Sequence, residues 1–263
     1  PVTVPEAGPT PGALDRLRRR VAALGGLPTL PAIAAEVLRA ARDPAATVVD
    51  MAERIARDPP LAARVLKVAN STSYGMTRTV GSLSVACVLL GMKRIAAIAA
   101  NASTFRAPFA GVPPREALWE HAAACAAACD LIGRRLTPHI GAEAFVTGLI
   151  HDIGTTVLDA VLHEDFERIL ALAAAERLPL YEAERRMLGT DHAQIGAWLA
   201  EAWNLPPQMA GAVAAHHGPP CDPGEAPLAA ALQAADAAVR AAGLGFARFA
   251  PPTSRSEISA LPL

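Results

Sequence analysis

The feature that most restricts the fold is the repeated alternation of alanine-rich apolar segments with short proline and glycine breaks. Hydrophobic residues make up 52% of the 263-residue chain but aromatic residues only 4%, and alanine dominates the apolar set. Alanine has the highest helix propensity, and its small side chain lets helices approach closely. The apolar segments lack the period-two alternation of half-buried strands. The sequence therefore predicts an all-α, multi-helical bundle with a sizeable core.

Capping residues and prolines mark the ends of the predicted helices. Thr47 is predicted to cap a helix, and Asp58, followed by Pro59 and Pro60, to end one helix and begin the next. Further helices are predicted near 82–91, 93–105, 114–135, 143–160, 164–176, 180–188, 191–203, 206–217 and 225–242.

Proline-rich and glycine-rich stretches define the expected domain organisation. A break at 106–116 divides the helical region, and we expect one globule with two lobes. The predicted parts are a linker or tail at 1–12, a domain at 13–245 with an N-terminal lobe at about 13–108 and a second lobe at about 112–245, and a C-terminal tail at 246–263.

The charge balance excludes some classes of function. The net charge of −1 and the pI of about 6.8 give no electrostatic basis for binding nucleic acid or a membrane surface. The local run "RLRRR", from Arg16 to Arg20, is predicted to be a solvated helix face. No uninterrupted apolar run reaches about 18 residues and no signal peptide opens the sequence. We therefore expect a soluble, cytoplasmic protein.

The four cysteines, Cys87, Cys125, Cys129 and Cys221, lack the spacing of a disulfide framework and are predicted to be reduced thiols. Cys125 and Cys129 are one helical turn apart and could in principle share a zinc ion. Because small residues surround both in "HAAACAAACDLIG", core packing is the favoured interpretation.

The polar residues that most need an explanation are histidines and aspartates on apolar helix faces. An aspartate in such a place is costly unless it is paired or bound to a metal, and imidazole with carboxylate suits zinc, iron or manganese. Singly, each residue has an ordinary explanation, such as a hydrogen-bonded core histidine or a helix C-terminus. Together they favour one shared metal site, for which the candidates are His121, His151, Asp152, His192, His216, His217 and Asp236. We assign no role to His139 or His163.

The order His…His-Asp…His…His-His…Asp resembles that of the HD-superfamily metal-dependent phosphohydrolases. More specifically, residues 24–242 resemble HDOD proteins, the HD-related output domains of bacterial signalling. In the first lobe the resemblance is carried by "LPTLPAIAAEVL", "RDPPLAARVLKVANSTSYG" and "LSVACVLLGMKRI". In the second, HD-like lobe it is carried by "FVTGLIHDIGTTVL", "MLGTDHAQIGAWLAEAWNLP" and "AVAAHH".

This resemblance implies an all-helical regulatory module that acts through a protein partner: a sensor, a response regulator or a downstream effector. Many HDOD members have lost metal ligands, whereas all seven positions are filled here. We therefore expect one or two divalent ions, drawn from Fe, Mn, Zn or Mg. In the segment "VANSTSYG" we expect the polar residues to stabilise a helix exit, the alternative being a loop that binds a partner.

The alternative function is an active metal-dependent phosphohydrolase that acts on a phosphate ester or nucleotide. His121, His151, Asp152 and Asp236 would then hold one ion, and His192, His216 and His217 a second, with Asp152 as the bridge. Two departures argue against cyclic-dinucleotide hydrolysis. Thr155 stands where HD-GYP phosphodiesterases carry a lysine, and "GPPCDPGEAP" replaces their Gly-Tyr-Pro segment.

Overall fold

The computed structural model describes residues 12–71, 79–102, 115–137 and 139–244. The predicted tails, apart from Gly12, and most of the predicted break at 106–116 lie outside these residues, as do residues 72–75 of the "VANSTSYG" segment. All regular structure in the described residues is helical, which confirms the all-α prediction. The helices are α1 (Ala13–Ala22), α2 (Pro31–Ala40), α3 (Val48–Ile55), α4 (Pro59–Ala69), α5 (Leu83–Ala102), α6 (Arg115–Leu136), α7 (Gly141–Ile150), α8 (Ile153–Val161), α9 (His163–Glu176), α10 (Leu180–Leu188), α11 (His192–Ala202), α12 (Pro207–Ala215) and α13 (Pro227–Ala241).

The caps follow the sequence signals. Thr47 accepts a hydrogen bond from the backbone N–H of Asp50, whose carboxylate accepts from the backbone N–H of Thr47, so α3 opens with a capping box. Asp58 accepts from the backbone N–H of Leu61 and caps α4. Its second oxygen accepts from the backbone N–H of Leu30, 2.7 Å away, so the cap also fixes the entry to α2.

Two helix boundaries involve breaks in the chain direction. Gly91 has φ 72° and kinks α5, at the point where the sequence predicts the change between helices 82–91 and 93–105. The single helix predicted over 143–160 is wrong, because the chain leaves helical geometry at Asp152 (φ −92°, ψ 13°). This turn between α7 and α8 is what carries the His-Asp pair.

Asn70, at the C-terminal end of α4, forms two hydrogen bonds with the segment that leads into α5. The Asn70 side chain donates to the carbonyl oxygen of Val80 at 2.9 Å and accepts from its backbone N–H at 2.6 Å. The structural role predicted for this asparagine is therefore seen, although its partner is a segment ten residues ahead and not the last carbonyls of α4. These hydrogen bonds fix the start of α5 against the end of α4.

Most buried apolar residues of both predicted lobes form one contiguous cluster that runs from α1 to α13, and a small second cluster of Ile169, Leu172 and Ala183 lies in α9 and α10. Helix α1, predicted in the N-terminal lobe, packs on α11 and α8 of the second lobe, with Leu17 and Val21 buried. The arginines of "RLRRR" are exposed, as expected for a solvated face, and Arg18 pairs with Glu201 at 3.0 Å. The main core therefore includes residues from both predicted lobes.

Two helical stretches, Leu83–Ala102 and Gly141–Val161, are long and apolar enough to satisfy a length-and-composition test for membrane spans. In the most apolar window of the second stretch 78% of residues are buried inside the protein, and in the first 39%. A core helix passes the same test, so this is weak evidence for a membrane.

Candidate metal centre

The turn between α7 and α8 brings His151 and Asp152 to a junction with four further helices, α6, α11, α12 and α13. Glycine makes the close packing there possible. A Cβ at Gly148 of α7 would lie 2.6 Å from the carbonyl oxygen of Cys125 in α6, and one at Gly154 of α8 would overlap the carbonyl oxygen of His192 in α11. The backbones that carry the candidate ligands therefore touch directly.

The Asp152 carboxylate faces two groups of side chains, one with each oxygen. Its Oδ2 lies 3.2 Å from Nε2 of His151 and 3.6 Å from Nε2 of His121. Its Oδ1 lies 3.2 Å from Nε2 of His192 and 3.5 Å from Nε2 of His216. A carboxylate placed between two sets of imidazole nitrogens in this way has the geometry of a bridge between two cations.

The first group combines residues of α6, the α7–α8 turn and α13: His121, Cys125, His151 and Asp236, with one ligand atom from each lying within 4.8 Å of the others. Asp236 places Oδ1 3.2 Å from Nε2 of His121. Its Oδ2 faces Nε of Arg240, one turn along α13, at 3.1 Å. Asp236 therefore pairs with an arginine through one oxygen while the other oxygen faces the candidate ligands.

The second group contains Asp152, His192, His216 and His217, again with ligand atoms within 4.8 Å of one another. Nε2 of His217 lies 2.9 Å from Nε2 of His192, so the two imidazoles point at one another. The His217 ring is held from the other side by Tyr181, stacked at a centroid distance of 4.4 Å. Both paired histidines lie at the C-terminal end of α12, where the chain turns away.

Hydrogen bonds at the far side of three imidazoles determine which nitrogen faces the centre. Nδ1 of His151 donates to the carbonyl oxygen of Gly148 at 2.8 Å, and Nδ1 of His216 to that of Val213 at 2.6 Å. A carbonyl oxygen can only accept, so the proton is on Nδ1 and the lone pair of Nε2 is free to bind a metal. These two Nε2 atoms are buried without a hydrogen-bond partner among the described residues.

His192 is oriented by a carboxylate in place of a carbonyl. Its backbone N–H and its Nδ1 both donate to Oε2 of Glu184 in α10, each at 2.7 Å. Glu184 is fully buried, and such a carboxylate behind a ligand histidine fixes the ring and strengthens it as a donor.

The electrostatics of the cluster favour binding of a cation. Burial opposes ionisation, yet His151, His192 and His216 hold the pKa of Asp152 well below its usual value. Burial and the neighbouring His216 and His192 lower the pKa of His217 well below the usual range. Burial lowers the pKa of His192, but Glu184 and Asp152 outweigh it and raise that pKa well above its ordinary value. Ionised carboxylate beside neutral imidazole is the state that binds divalent metal, and metal binding would displace the proton from His192.

All seven residues singled out from the sequence meet in these two groups. His139 and His163 lie outside both, and His163 instead bonds Asp159 at 2.7 Å. Two residues of the site are not predicted from the sequence. Cys125 shares a helix face with His121, but its small neighbours favour core packing alone. Glu184 lies eight residues before His192 in an amphipathic helix, where a glutamate is commonplace. The donor set and the unpartnered buried Nε2 atoms fit a divalent metal.

A helical protein with a His-Asp turn, a third histidine at a helix start and paired histidines at a helix end defines an HD-type domain. Residues 27–219 match the HDOD domain family, and the chain belongs to that family, as the sequence predicts.

Solved structures give the same fold. The MmoQ response regulator from Methylococcus capsulatus strain Bath aligns with a TM-score of 0.71 and 27% identity over 90% of this chain and 94% of that one. An HDOD domain protein of unknown function from Geobacter sulfurreducens aligns with a TM-score of 0.57 and 26% identity over 97% and 87%. An uncharacterized protein of Treponema pallidum (strain Nichols) is 26% identical over 216 residues, which cover 81% of this chain but 42% of that protein. The chain thus spans less than half of that relative.

Proposed function

We propose that this protein is an output domain of bacterial signal transduction whose metal centre is structural and whose effect is exerted through a protein partner. The observation that carries the proposal is a complete ligand set that is almost entirely buried. His121, His151, His192, His216 and Asp236 are each at most 4% exposed, and only Asp152 and His217 are reached by solvent. A centre of this kind is suited to holding helices together.

The residue at position 155, close to the candidate metal centre, supports a role other than hydrolysis of phosphate esters. Thr155, where cyclic-dinucleotide phosphodiesterases carry a lysine, is buried in the first turn of α8, and its backbone N–H donates to the carbonyl oxygen of Asp152. A threonine supplies no charge to neutralise a substrate phosphate. The residues that would bind the metal come from the α7–α8 turn and from four further helices, so metal occupancy would set how these helices pack.

The likeness to a protein named as a response regulator supports a place in signalling, with a sensor, a response regulator or a downstream effector as the partner. The four cysteines are free thiols, which is in keeping with a cytoplasmic location. The imidazole-rich donor set favours Fe, Mn or Zn over Mg, because Mg²⁺ prefers oxygen ligands and retains several waters.

The proposal is tested by measuring turnover and partner binding on the same preparations. Metal-loaded wild type should hydrolyse p-nitrophenyl phosphate, bis(p-nitrophenyl) phosphate and cyclic dinucleotides no faster than His151→Ala. A partner recovered by in vivo cross-linking of the full-length protein should bind purified wild type in calorimetry. Binding to His151→Ala should be at least tenfold weaker, because loss of the metal loosens the helices around it.

The alternative, a metal-dependent phosphohydrolase, is favoured by the bridging position of Asp152 between the two groups. When bound, two cations would polarise a phosphate ester and neutralise charge as the phosphoryl group is displaced. Turnover by metal-loaded wild type that disappears in His151→Ala would establish this alternative and contradict the proposal. Partner binding that is unaffected by His151→Ala would also contradict the proposal of a structural metal centre.

A further inference from the structure

We infer that Cys125 is a metal ligand of the first group, so that this group is a closed His-Cys-His-Asp site. The inference rests on the proposed metal centre and specifies its composition. Cys125 is on α6, one turn after His121, and is fully buried. Its Sγ lies 3.5 Å from Nε2 of His121, on the side that faces the other members of the group.

Two distances in the group agree with those between ligands of one tetrahedral ion, whereas Nε2 of His151 and Oδ1 of Asp236, at 4.0 Å, are further apart. Zinc–sulfur bonds of about 2.3 Å and zinc–nitrogen bonds of about 2.0 Å give a sulfur–nitrogen separation of about 3.5 Å at the tetrahedral angle. The separation between Sγ of Cys125 and Nε2 of His121 is 3.5 Å. Nitrogen and oxygen ligands should be about 3.3 Å apart by the same construction, and His121 and Asp236 are 3.2 Å apart.

An unpartnered polar atom at the same place supports a ligand. Nε2 of His151 is buried without a hydrogen-bond partner among the described residues. His151 is fully buried, and its tautomer directs the Nε2 lone pair into the group that holds Cys125 and Asp236. Leaving such an atom unpaired is costly, and a cation bound by the group would satisfy it. Cys129, one turn further along α6 and equally buried, belongs to neither group.

The sulfur ligand has two consequences. Four protein ligands complete a tetrahedron without any contribution from Asp152, and zinc sites closed in this way are structural. Thiolate also selects zinc or ferrous iron over manganese and magnesium, which prefer oxygen ligands. The first group would therefore hold its ion permanently, while Asp152 with His192, His216 and His217 forms a second site of nitrogen and oxygen ligands.

Cobalt(II) substitution tests the assignment without reference to activity. Cobalt bound to thiolate gives a near-ultraviolet charge-transfer band that imidazole and carboxylate do not give. The metal-free protein, its Cys125→Ser variant and its Cys129→Ser variant are titrated with cobalt(II), and bound cobalt is counted after dialysis. Wild type and Cys129→Ser should show the band at equal intensity, and Cys125→Ser should lose it. Zinc affinity of Cys125→Ser should fall at least tenfold.

The outcomes separate this inference from the metal centre itself. Cobalt bound by wild type without a charge-transfer band, or with a band that survives in Cys125→Ser, would overturn the Cys125 assignment and leave the centre standing. Failure of wild type to bind cobalt would overturn both. If Cys125→Ser does not fold, X-ray absorption of zinc-loaded wild type decides: with both groups filled, an average of about half a sulfur neighbour per zinc at about 2.3 Å is expected, and its absence would contradict the inference.

Discussion

At the residue scale, the centre depends on side chains that hold its histidines in one orientation. His151 and His216 are fixed by backbone carbonyls of their own helices, whereas His192 depends on Glu184 from another helix. Glu184 accepts both the backbone N–H and the ring N–H of His192 with one oxygen, and its burial keeps these bonds from exchanging with water. We therefore expect the second group to be sensitive to Glu184 although it binds no metal itself.

Replacing Glu184 with Gln should lower the metal affinity of the second group about 10- to 100-fold, because a neutral amide orients and polarises His192 less well. Isothermal titration with manganese or zinc on metal-free protein measures the change. Glu182→Gln, on the same helix and half-buried, is the matched control and should bind as wild type does. An unchanged affinity in Glu184→Gln would show that His192 is fixed by other contacts.

What the sequence predicts at this scale follows from the cost of polar groups on apolar helix faces. That cost is enough to single out His192 and Asp236, and all seven candidates do lie together in the folded chain. The same reasoning overlooks Cys125, because a buried cysteine costs little and needs no partner to explain it. It also overlooks Glu184, whose burial depends on the tertiary packing of α10 against α11 and not on local pattern.

At the scale of elements, the close crossing of α8 and α11 depends on Gly154. Gly154→Ala would push a methyl group into the carbonyl oxygen of His192 and against the backbone N of Gly196. We expect the free energy of unfolding to fall by about 3 kcal/mol or more, because the contacting atoms belong to the backbone of α11 and cannot move aside as a flexible side chain can. Urea denaturation, with circular dichroism as the signal, measures it.

Gly211 provides the control for that substitution. It lies in α12 and, apart from its chain neighbours and the backbone of its own helix, no atom is within 4 Å of the position of an added Cβ, so Gly211→Ala should stabilise by about 0.5–1 kcal/mol through helix propensity. Equal effects of the two substitutions would mean that the α8–α11 contact is not tight.

The ionisation of Asp58, the N-cap of α4, is expected to make the stability of the protein depend on pH. Burial raises the pKa of Asp58 to about 6, against hydrogen bonds from Leu30 and Leu61 that lower it. Because this lies above the ordinary value of 3.8, the native state binds the extra proton between the two values. The stabilisation from this bound proton is therefore fully present below about pH 4. It is lost as the pH rises through 6, which lowers the free energy of unfolding by about 3 kcal/mol.

Asp58→Asn should remove this part of the pH dependence, since the amide does not titrate. Urea midpoints of metal-free wild type and Asp58→Asn are measured from pH 4 to pH 7. The difference in unfolding free energy between the two proteins should change by the amount above across this range. Parallel curves for the two proteins would contradict the account of Asp58.

The helix limits show where local pattern is enough and where it is not. Thr47, Asp58 and Gly91 act as the sequence indicates, because caps and a positive φ are local properties. The turn at Asp152 is not predicted, because residues 141–161 are mostly apolar on either side of it. The break places His151 and Asp152 beside side chains of other helices, and such tertiary contacts cannot be read from the local sequence.

At the scale of the whole molecule, the candidate ligands come from the α7–α8 turn, α6, α11, α12 and α13, all in the second lobe. This lobe is tied to the first through the shared core and through α1, which packs on α11 and α8. Indole Nε1 of Trp203 also donates to the carbonyl oxygen of Leu24, at 3.3 Å. Helix α11, which carries His192, therefore contacts a helix of the predicted first lobe directly.

The most direct test of the central claim is the number of metal ions bound by protein purified anaerobically without chelator. Mass spectrometry should find close to two ions per chain in wild type. His217→Ala should lose the ion of the second group and keep that of the first, and His151→Ala the reverse, with circular dichroism showing an intact fold. Wild type that folds normally but holds no metal, before or after incubation with zinc, iron or manganese, would contradict the account.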